Sequence, residues 1–191
     1  MLELLAPAGN LDAVIAAVQN GADAVYMGFG DGFNARRSAD NFTRESFAKA
    51  VRYCHIRGCK VYVTLNTLVG DREMDAAAAL AQQASDAGAD AILVQDLGLA
   101  RVLRAALPDI PLHASTQMSI HNLAGVEAAA EMGITRAVLA RELSLEQIRF
   151  ISQHASIETE VFVHGALCFC YSGQCYMLSL IHISEPTRLR C

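Results

Sequence analysis

The stretch AGADAILVQD, residues 87–96, places a glycine after a helical segment, then a short apolar run, then two polar residues. Glycine readily adopts the left-handed backbone that follows a helix C-terminus. The apolar run has the length of a strand and no polar alternation, as expected where helices cover both faces of a parallel sheet. The stretch therefore predicts a helix-to-strand junction, with Gln95 and Asp96 at the carboxyl end of the strand.

The same plan recurs along the chain. It is found in NGADAVYMG at residues 20–28, in RGCKVYVTLN at 57–66 and in MGITRAVLARE at 132–142. Amphipathic helical segments lie between these stretches, and Asn10 and Thr43 have the side chains preferred at helix N-caps. The chain therefore alternates between helices and buried strands.

This alternation predicts the fold class. Seven strands are expected, at residues 3–5, 24–27, 60–66, 91–94, 112–115, 137–140 and 159–163. Strands that alternate with helices lie parallel and are joined by right-handed crossovers. We predict an α/β fold, an incomplete (β/α)8 TIM-like barrel of about seven strands, because no eighth strand is evident. A doubly wound open sheet is the alternative.

Composition narrows the class of protein. The 191 residues are 53% hydrophobic and 18% charged, which is typical of one globular domain with a full core. The net charge of −5 argues against a phosphate-binding surface governed by electrostatics. Neither a membrane-spanning run nor a secretory signal is visible. Six cysteines without framework spacing indicate a reducing compartment, so we expect a cytoplasmic protein.

The ends of most predicted strands, and the positions just after them, carry mainly polar residues. The residues at these places are Tyr26, Gly28, Asn66, Gln95, Asp96, His113, Ser115, Gln117, Arg141, Glu142 and His164. In a barrel, chemistry is carried where strands end and the following loops begin. We therefore expect a pocket there, with Asn66, Gln117, Glu142 and His164 as catalytic candidates. Alternatively, these side chains only cap strands and helices.

Three cysteines follow the last predicted strand. Gly173 permits a tight return of the chain between Cys168 and Cys175, so that their sulfur atoms could converge on one centre. Thiolates favour zinc or an iron–sulfur cluster, although further ligands would be needed for a four-thiolate site. Buried, inert cysteines are the alternative, as is a cysteine nucleophile with His164 as its base. Cys54 and Cys59 are predicted to pack in the core.

The segment EVFVHGALCFCYSGQCYM, residues 160–177, resembles the signature of the collagenase-like peptidases, peptidase family U32. The matching residues are Glu160, Phe162, Gly165, Ala166, Leu167, Cys168, Gly173 and Cys175. The stretches LELLAPAGN, GADAVYMG, VTLNT, LHASTQMSIHN and VLARELSLEQI also resemble the amino-terminal half of that family. The resemblance covers residues 1–177 and implies a barrel-like amino-terminal domain in a chain about twice as long.

The family resemblance implies several activities. Some members are named as proteases acting on collagen-like substrates, without agreed catalytic residues. Others are implicated in hydroxylation of nucleosides in tRNA or rRNA. Others serve oxygen-independent ubiquinone hydroxylation and carry a 4Fe-4S cluster on four cysteines, of which the first two match Cys168 and Cys175. The two remaining cluster cysteines lie downstream in the family, and this chain has no counterpart for them.

The tail departs from the family pattern at Leu178. The letters LSLIHISEPTR, residues 178–188, resemble the in-frame translation of a transposase-type sequencing adapter. We therefore divide the chain into a truncated barrel domain, residues 1–177, and a non-native tail, residues 178–191.

The resulting hypothesis is an inactive amino-terminal fragment of an enzyme. The intact protein would be an Fe–S-dependent hydroxylase acting on tRNA, rRNA or a small aromatic substrate, with RNA bound through regions missing downstream. The alternatives are a genuine collagenase-like protease and a non-catalytic binding subunit. Neither an HExxH nor a GxSxG motif is present in the sequence, so the protease alternative lacks a recognisable mechanism.

Overall fold

The computed structural model describes residues 2–30, 33–34, 41–165 and 170–174. These residues form seven strands that alternate with six α-helices and one short 3-10 helix. The strands are β1 (Leu5–Pro7), β2 (Ala24–Met27), β3 (Lys60–Leu65), β4 (Ala91–Val94), β5 (Leu112–Ala114), β6 (Arg136–Val138) and β7 (Glu158–Glu160). The helices are α1 (Leu11–Gln19), α2 (Arg44–His55), α3 (Met74–Asp86), α4 (Leu97–Ala106), α5 (Leu123–Glu131) and α6 (Leu145–His154), with the 3-10 helix at Thr116–Met118.

The strands form one curled parallel sheet in the order in which they occur along the chain, from β1 to β7. Every neighbouring pair is parallel. A doubly wound sheet would reverse its strand order at an internal point, and this sheet does not. The prediction of an incomplete TIM-like barrel with seven strands is therefore confirmed, and the doubly wound alternative is wrong.

Several strand boundaries differ from those predicted. The first strand lies two residues later than expected and extends from Leu5 to Pro7. Glu3 precedes the strand, and its carboxylate accepts a hydrogen bond from Tyr62 Oη. Proline is tolerated there because β1 is an edge strand, and Ala8 N continues the ladder with a 2.9 Å bond to Tyr26 O. The last strand ends at Glu160 because it pairs only with the short β6.

Helix starts follow the signals in the sequence. The Asn10 side chain accepts a 2.8 Å hydrogen bond from Ala13 N, and the Thr43 hydroxyl accepts one of 3.3 Å from Ser46 N. Ser144 and Gln147 form a complete capping box at the start of α6. These caps fix where α1, α2 and α6 begin, and therefore the length of the loop before each of these three helices.

The outer face of the sheet packs against the helices. Val61, Val63 and Leu65 of β3 alternate outward into two apolar clusters shared with the helices. Cys54 and Cys59 belong to one of these clusters and are buried, as predicted. Burial, with a smaller effect of Cys59, raises the pKa of Cys54 to about 12, so this thiol is a packing group rather than a nucleophile.

The inner face is polar at its amino-terminal end. Arg136, at the start of β6, donates hydrogen bonds of 2.6 Å to Glu3 and of 2.6 and 2.8 Å to Glu158. Tyr62 Oη and Lys60 Nζ donate to the same Glu3 carboxylate over 2.8 and 3.0 Å. Residues from both ends of the sheet therefore meet around one buried guanidinium.

This setting shifts two pKa values strongly. Burial by itself raises the pKa of Glu3, but hydrogen bonds from Arg136, Lys60 and Tyr62 outweigh it and lower the pKa to about 2. Burial and then the Arg136 charge lower the pKa of His113 to about 3. His113 lies 4.9 Å from the Tyr62 ring in an edge-on contact, and its Nδ1 has no hydrogen-bond partner among the described residues. His113 is therefore a neutral imidazole across the neutral pH range.

Parts of the sequence prediction fall outside the described ranges. The tail at residues 178–191, and with it the boundary after residue 177, lies wholly outside them, so its adapter origin stays a prediction. Within the described part of the chain, none of the helices has the length and apolar character required to cross a membrane.

We predict that Arg136→Met destabilises the protein by about 3 kcal/mol, because it removes the buried cation that pairs with both Glu3 and Glu158 on the inner face. The measurement is the free energy of unfolding in urea. Glu158→Gln is the matched control, since the Glu158 side chain is 68% exposed and its loss should cost below about 1 kcal/mol. Equal effects of the two substitutions would contradict the central role of Arg136.

We also predict a pH dependence that originates at His113. Its pKa in the folded protein lies below the unfolded value of 6.5, so its contribution to stability is complete above pH 6.5 and is lost as the pH falls toward 3. When one group titrates, the free energy of unfolding changes by at most about 1.4 kcal/mol per pH unit. Unfolding free energies measured between pH 7 and 4.5 should therefore fall more steeply for the parent protein than for His113→Leu. Parallel curves would show that His113 titrates normally.

Candidate functional site

The mouth of the barrel, where the strands reach their carboxyl ends, holds a hydrogen-bonded row of three side chains. Asn66 follows β3, and its Nδ2 donates to Ser115 Oγ over 3.1 Å and to Gln117 Oε1 over 3.4 Å. Ser115 Oγ also donates to Gln117 Oε1. Asn66 and Ser115 are both buried. The row therefore fixes the Gln117 amide and leaves its Nε2 group as the donor available to a ligand.

The turn after the 3-10 helix is strained. Ser119 has φ 58° and ψ 41°, and among the described residues it is the only one other than glycine with a positive φ. This left-handed conformation is unfavourable for a side chain that carries a Cβ and is often found at functional sites. In this conformation the Ser119 hydroxyl donates a 2.5 Å hydrogen bond to the carbonyl oxygen of Ser172.

Ser172 anchors the cysteine turn, defined here as residues 170–174, to the mouth. Its backbone N–H donates to Glu142 Oε1, and its Oγ accepts from Arg141 N and Nε over 3.2 and 3.3 Å. With the bond from Ser119, all three polar groups of Ser172 are engaged, and the residue is fully buried. The turn is therefore held by the loops that follow β5 and β6.

The Glu142 carboxylate is occupied by these contacts. Its Oε2 lies 3.5 Å from His121 Nε2, and His121 Nδ1 lies 2.5 Å from Ser119 O. Burial by itself raises the pKa of Glu142, but backbone hydrogen bonds from Glu142 itself and Ser172 outweigh it, so that the pKa is lowered. A carboxylate with a lowered pKa is a good hydrogen-bond acceptor and a poor general base near neutral pH. Its geometry therefore fits a positioning role.

Gly173 makes the closest approach of the turn to the barrel. Its φ is +77°, and a Cβ at this position would overlap the Ser119 hydroxyl and the Gln117 carbonyl. Only glycine satisfies both conditions, the left-handed backbone and the missing side chain. The turn therefore lies directly on the 3-10 helix.

A cavity of about 390 Å³ lies between the cysteine turn and the ends of β3 to β5. Among the residues that the structure describes, none of those lining the cavity carries a charged side chain, and they are Leu68, Gln95, Leu97, Gln117, Met118, Ser119, Gly173 and Gln174. Its volume lies in the range of small-molecule sites. The cysteine turn supplies two of the eight lining residues, so the cavity is complete only when the turn is docked.

The structure joins two of the four predicted catalytic candidates directly, because Asn66 and Gln117 are hydrogen-bonded. Glu142 contacts Ser172, whose carbonyl oxygen accepts from Ser119, two residues after Gln117. His164 is exposed after β7, and no hydrogen bond or ion pair links it to the other three candidates. Cys168 and Cys175 lie outside the described residues, so their role as metal ligands stays a prediction.

Two polar residues that were expected at the mouth lie elsewhere. His113 lies within β5, 4% exposed, and contacts Tyr62 on the inner face near Arg136. Tyr26 lies within β2 and packs with the small inner cluster that includes Tyr62. Both expectations were wrong because each residue precedes the end of its strand, so its side chain points into the barrel below the mouth.

Sequence reasoning missed Ser119, His121 and Ser172. A signal for Ser172 exists, because it directly precedes the glycine of the cysteine turn, where a small hydrogen-bonding side chain commonly stabilises a turn. No comparable signal points to Ser119, whose role depends on a left-handed conformation at a position occupied by neither glycine nor asparagine.

Comparisons with known proteins agree with the resemblance seen in the sequence. The sequence model of Peptidase family U32 matches residues 9–191. A 23S rRNA 5-hydroxycytidine synthase of Escherichia coli (strain K12) is 45% identical over 176 residues, which cover 92% of this chain and 26% of that protein. The tRNA hydroxylation protein P1 of Bacillus subtilis (strain 168) is 39% identical, with 99% of this chain and 44% of that protein covered.

A third relative has a different name. A protein named collagenase, from Porphyromonas gingivalis (strain ATCC BAA-308 / W83), is 34% identical, with 99% of this chain and 48% of that protein covered. The chain thus spans between about a quarter and a half of the length of these relatives.

Solved structures support the fold. A U32 peptidase superposes with a TM-score of 0.70 at 19% identity, over 88% of this chain and 71% of that one. A glycerophosphodiester phosphodiesterase from Parabacteroides distasonis superposes with a TM-score of 0.60 at 8% identity, over 87% of each chain. Because the family match extends over far more than half of the sequence, the chain belongs to Peptidase family U32.

Proposed function

We propose that this chain is the amino-terminal part of an enzyme that hydroxylates a nucleoside of tRNA or rRNA. The observation that carries the proposal is the docking of the cysteine turn over an uncharged cavity through the buried Ser172. Cys168 and Cys175 flank this turn in the sequence, so under the proposal their thiolates would lie near a substrate bound at the mouth. The names of the relatives from Escherichia coli and Bacillus subtilis favour RNA hydroxylation as the reaction.

The proposed cofactor is a 4Fe-4S cluster. Cys168 and Cys175 would supply two thiolate ligands, and the remaining two would come from a longer chain. When bound, such a cluster would supply electron transfer. Ser119, Arg141 and Glu142 would hold the segment between these two cysteines in place through Ser172.

The roles of the mouth residues follow from their contacts. Asn66 and Ser115 would orient Gln117 toward the substrate, because both hydrogen-bond to its Oε1. Glu142 would keep the cysteine turn docked through Ser172 N. His164, exposed after β7, remains a candidate for contact with substrate. We further propose that the enzyme acts in the cytoplasm, where its RNA substrate is found.

Proteolysis is the second candidate, since the relative from Porphyromonas gingivalis is named collagenase. An uncharged cavity could also accept part of a peptide.

One experiment distinguishes RNA hydroxylation from proteolysis. The intact gene is expressed in a strain that lacks RNA hydroxylation, and the total RNA is digested to nucleosides and analysed by mass spectrometry. Purified protein is incubated with denatured collagen in parallel. Hydroxylated nucleosides without peptide cleavage support the proposal, and the reverse result favours the protease.

Gly173→Ala in the intact protein should lower the yield of hydroxylated nucleoside at least tenfold, because the added Cβ forces the turn away from Ser119 and Gln117. The control is Gly58→Ala, at a similar φ of +72° but with open space around the added Cβ. It carries the same backbone strain without a clash, so activity should persist. Equal losses in the two variants would mean that strain alone, and not docking of the turn, limits activity.

Glu142→Gln should retain activity within about threefold, because the amide oxygen still accepts a hydrogen bond from Ser172 N, which contributes about 1 kcal/mol. Glu142→Ala should lose most of the activity, since that acceptor is removed. The rates of both variants are measured from pH 6 to 9. If Glu142→Gln is as inactive as Glu142→Ala, the carboxylate acts as a general base rather than as a positioning group.

A further inference from the structure

We propose that the cavity at the mouth is a pocket for one uncharged nucleobase. In this pocket Gln95, Gln117 and Gln174 bind the hydrogen-bonding edge of the base, and Leu68 and Leu97 contact its faces. The inference rests on the proposed function and names the part of the RNA that the site takes.

The size and charge of the cavity favour a base over other parts of RNA. A volume of about 390 Å³ accommodates a single nucleoside. Phosphate binding requires cations or converging backbone N–H groups, whereas the side chains that line this cavity are uncharged. The phosphates of a bound strand would therefore lie outside the cavity.

Side-chain amides suit the edge of a base. An amide presents a donor and an acceptor side by side, which matches the paired groups on a base edge. The Gln117 oxygen is already occupied by Asn66 and Ser115, so its Nε2 is the group left to donate. Among the described residues, none is hydrogen-bonded to the side-chain amides of Gln95 and Gln174, which line the same cavity. The pocket thus offers one fixed donor and two adaptable amides.

The apolar part of the lining also needs an explanation. Leu68 is 72% exposed and Leu97 is 60% exposed, although both are large aliphatic residues, and both line the cavity. Exposed apolar side chains that cluster at a cavity commonly mark a binding surface. A planar base would cover them, and it would have to leave its stack to enter, as bases do in other enzymes that modify them.

A peptide fits this arrangement less well. Extended peptides are commonly bound by backbone groups along a sheet edge, with pockets for alternate side chains. Here the polar groups are side-chain amides that surround a single concave site. The arrangement therefore favours one planar ligand with polar edges over a length of extended chain.

The test measures the binding of small ligands to the intact protein by saturation-transfer NMR and by calorimetry. The probes are cytidine, uridine, ribose 5-phosphate and a blocked glycine–proline–alanine tripeptide. We expect both nucleosides to bind, with the strongest saturation on base protons. Gln95→Leu and Gln174→Leu should each weaken nucleoside binding by roughly two- to tenfold, the effect of one lost neutral hydrogen bond.

The matched control is Gln153→Leu, because Gln153 is exposed on α6, away from the lining of the cavity. This variant should bind nucleosides like the parent protein. Nucleoside binding that is unchanged in the Gln95 and Gln174 variants would overturn the inference. So would ribose 5-phosphate binding as tightly as the nucleosides, or binding of the tripeptide alone.

RNA hydroxylation by the same variants separates the two proposals. If the parent protein hydroxylates RNA and both glutamine variants do so equally well, the pocket is wrong and the proposed function stands. If nucleoside binding depends on Gln95 and Gln174 but the parent protein leaves RNA unmodified, the pocket stands and the proposed function is wrong.

Discussion

The ion pairs of Arg136 are the interaction on which the curvature of this sheet depends. A parallel sheet with two open edges has no covalent or ladder contact between its first and last strands, so side chains must hold the edges near each other. Arg136 reaches Glu3, two residues before β1, and Glu158 at the start of β7. Burial makes an unpaired charge costly there, so the guanidinium and its carboxylates stabilise the curled form together.

The same curvature builds the mouth at the other end of the strands. In β3, Lys60 and Tyr62 contact Glu3 near the amino-terminal end, and Asn66 follows the strand at the mouth. Because side chains alternate along a strand, residues two apart line the same inner face. The ionic contacts around Arg136 and the amide row at the mouth are therefore opposite ends of one polar lining.

The docked cysteine turn changes the interpretation of Glu142. A carboxylate at the end of a barrel strand is commonly regarded as an acid or a base. Here the oxygens of Glu142 contact Ser172 N and His121, and the pKa of this carboxyl is lowered, which agrees with the proposed role of holding the cysteine turn. Ser119, whose hydroxyl donates to the carbonyl oxygen of Ser172, has a left-handed backbone. Because Gly173 and Gln174 line the cavity, its shape depends on the hydrogen bonds that hold the cysteine turn.

The sequence by itself determined the alternation of seven strands with helices, the caps at Asn10 and Thr43, and the position of Asn66 and Gln117 after strands. These features depend on local spacing. The polar alternation of the inner face could also have been read from residues 60–66, where every second residue is polar or aromatic. Only the tertiary structure decided that distant strands meet at Arg136, and that Ser172 docks on Ser119. The Glu3–Arg136 and Ser119–Ser172 contacts join residues 133 and 53 positions apart, and their geometry depends on sheet curvature and one left-handed backbone angle.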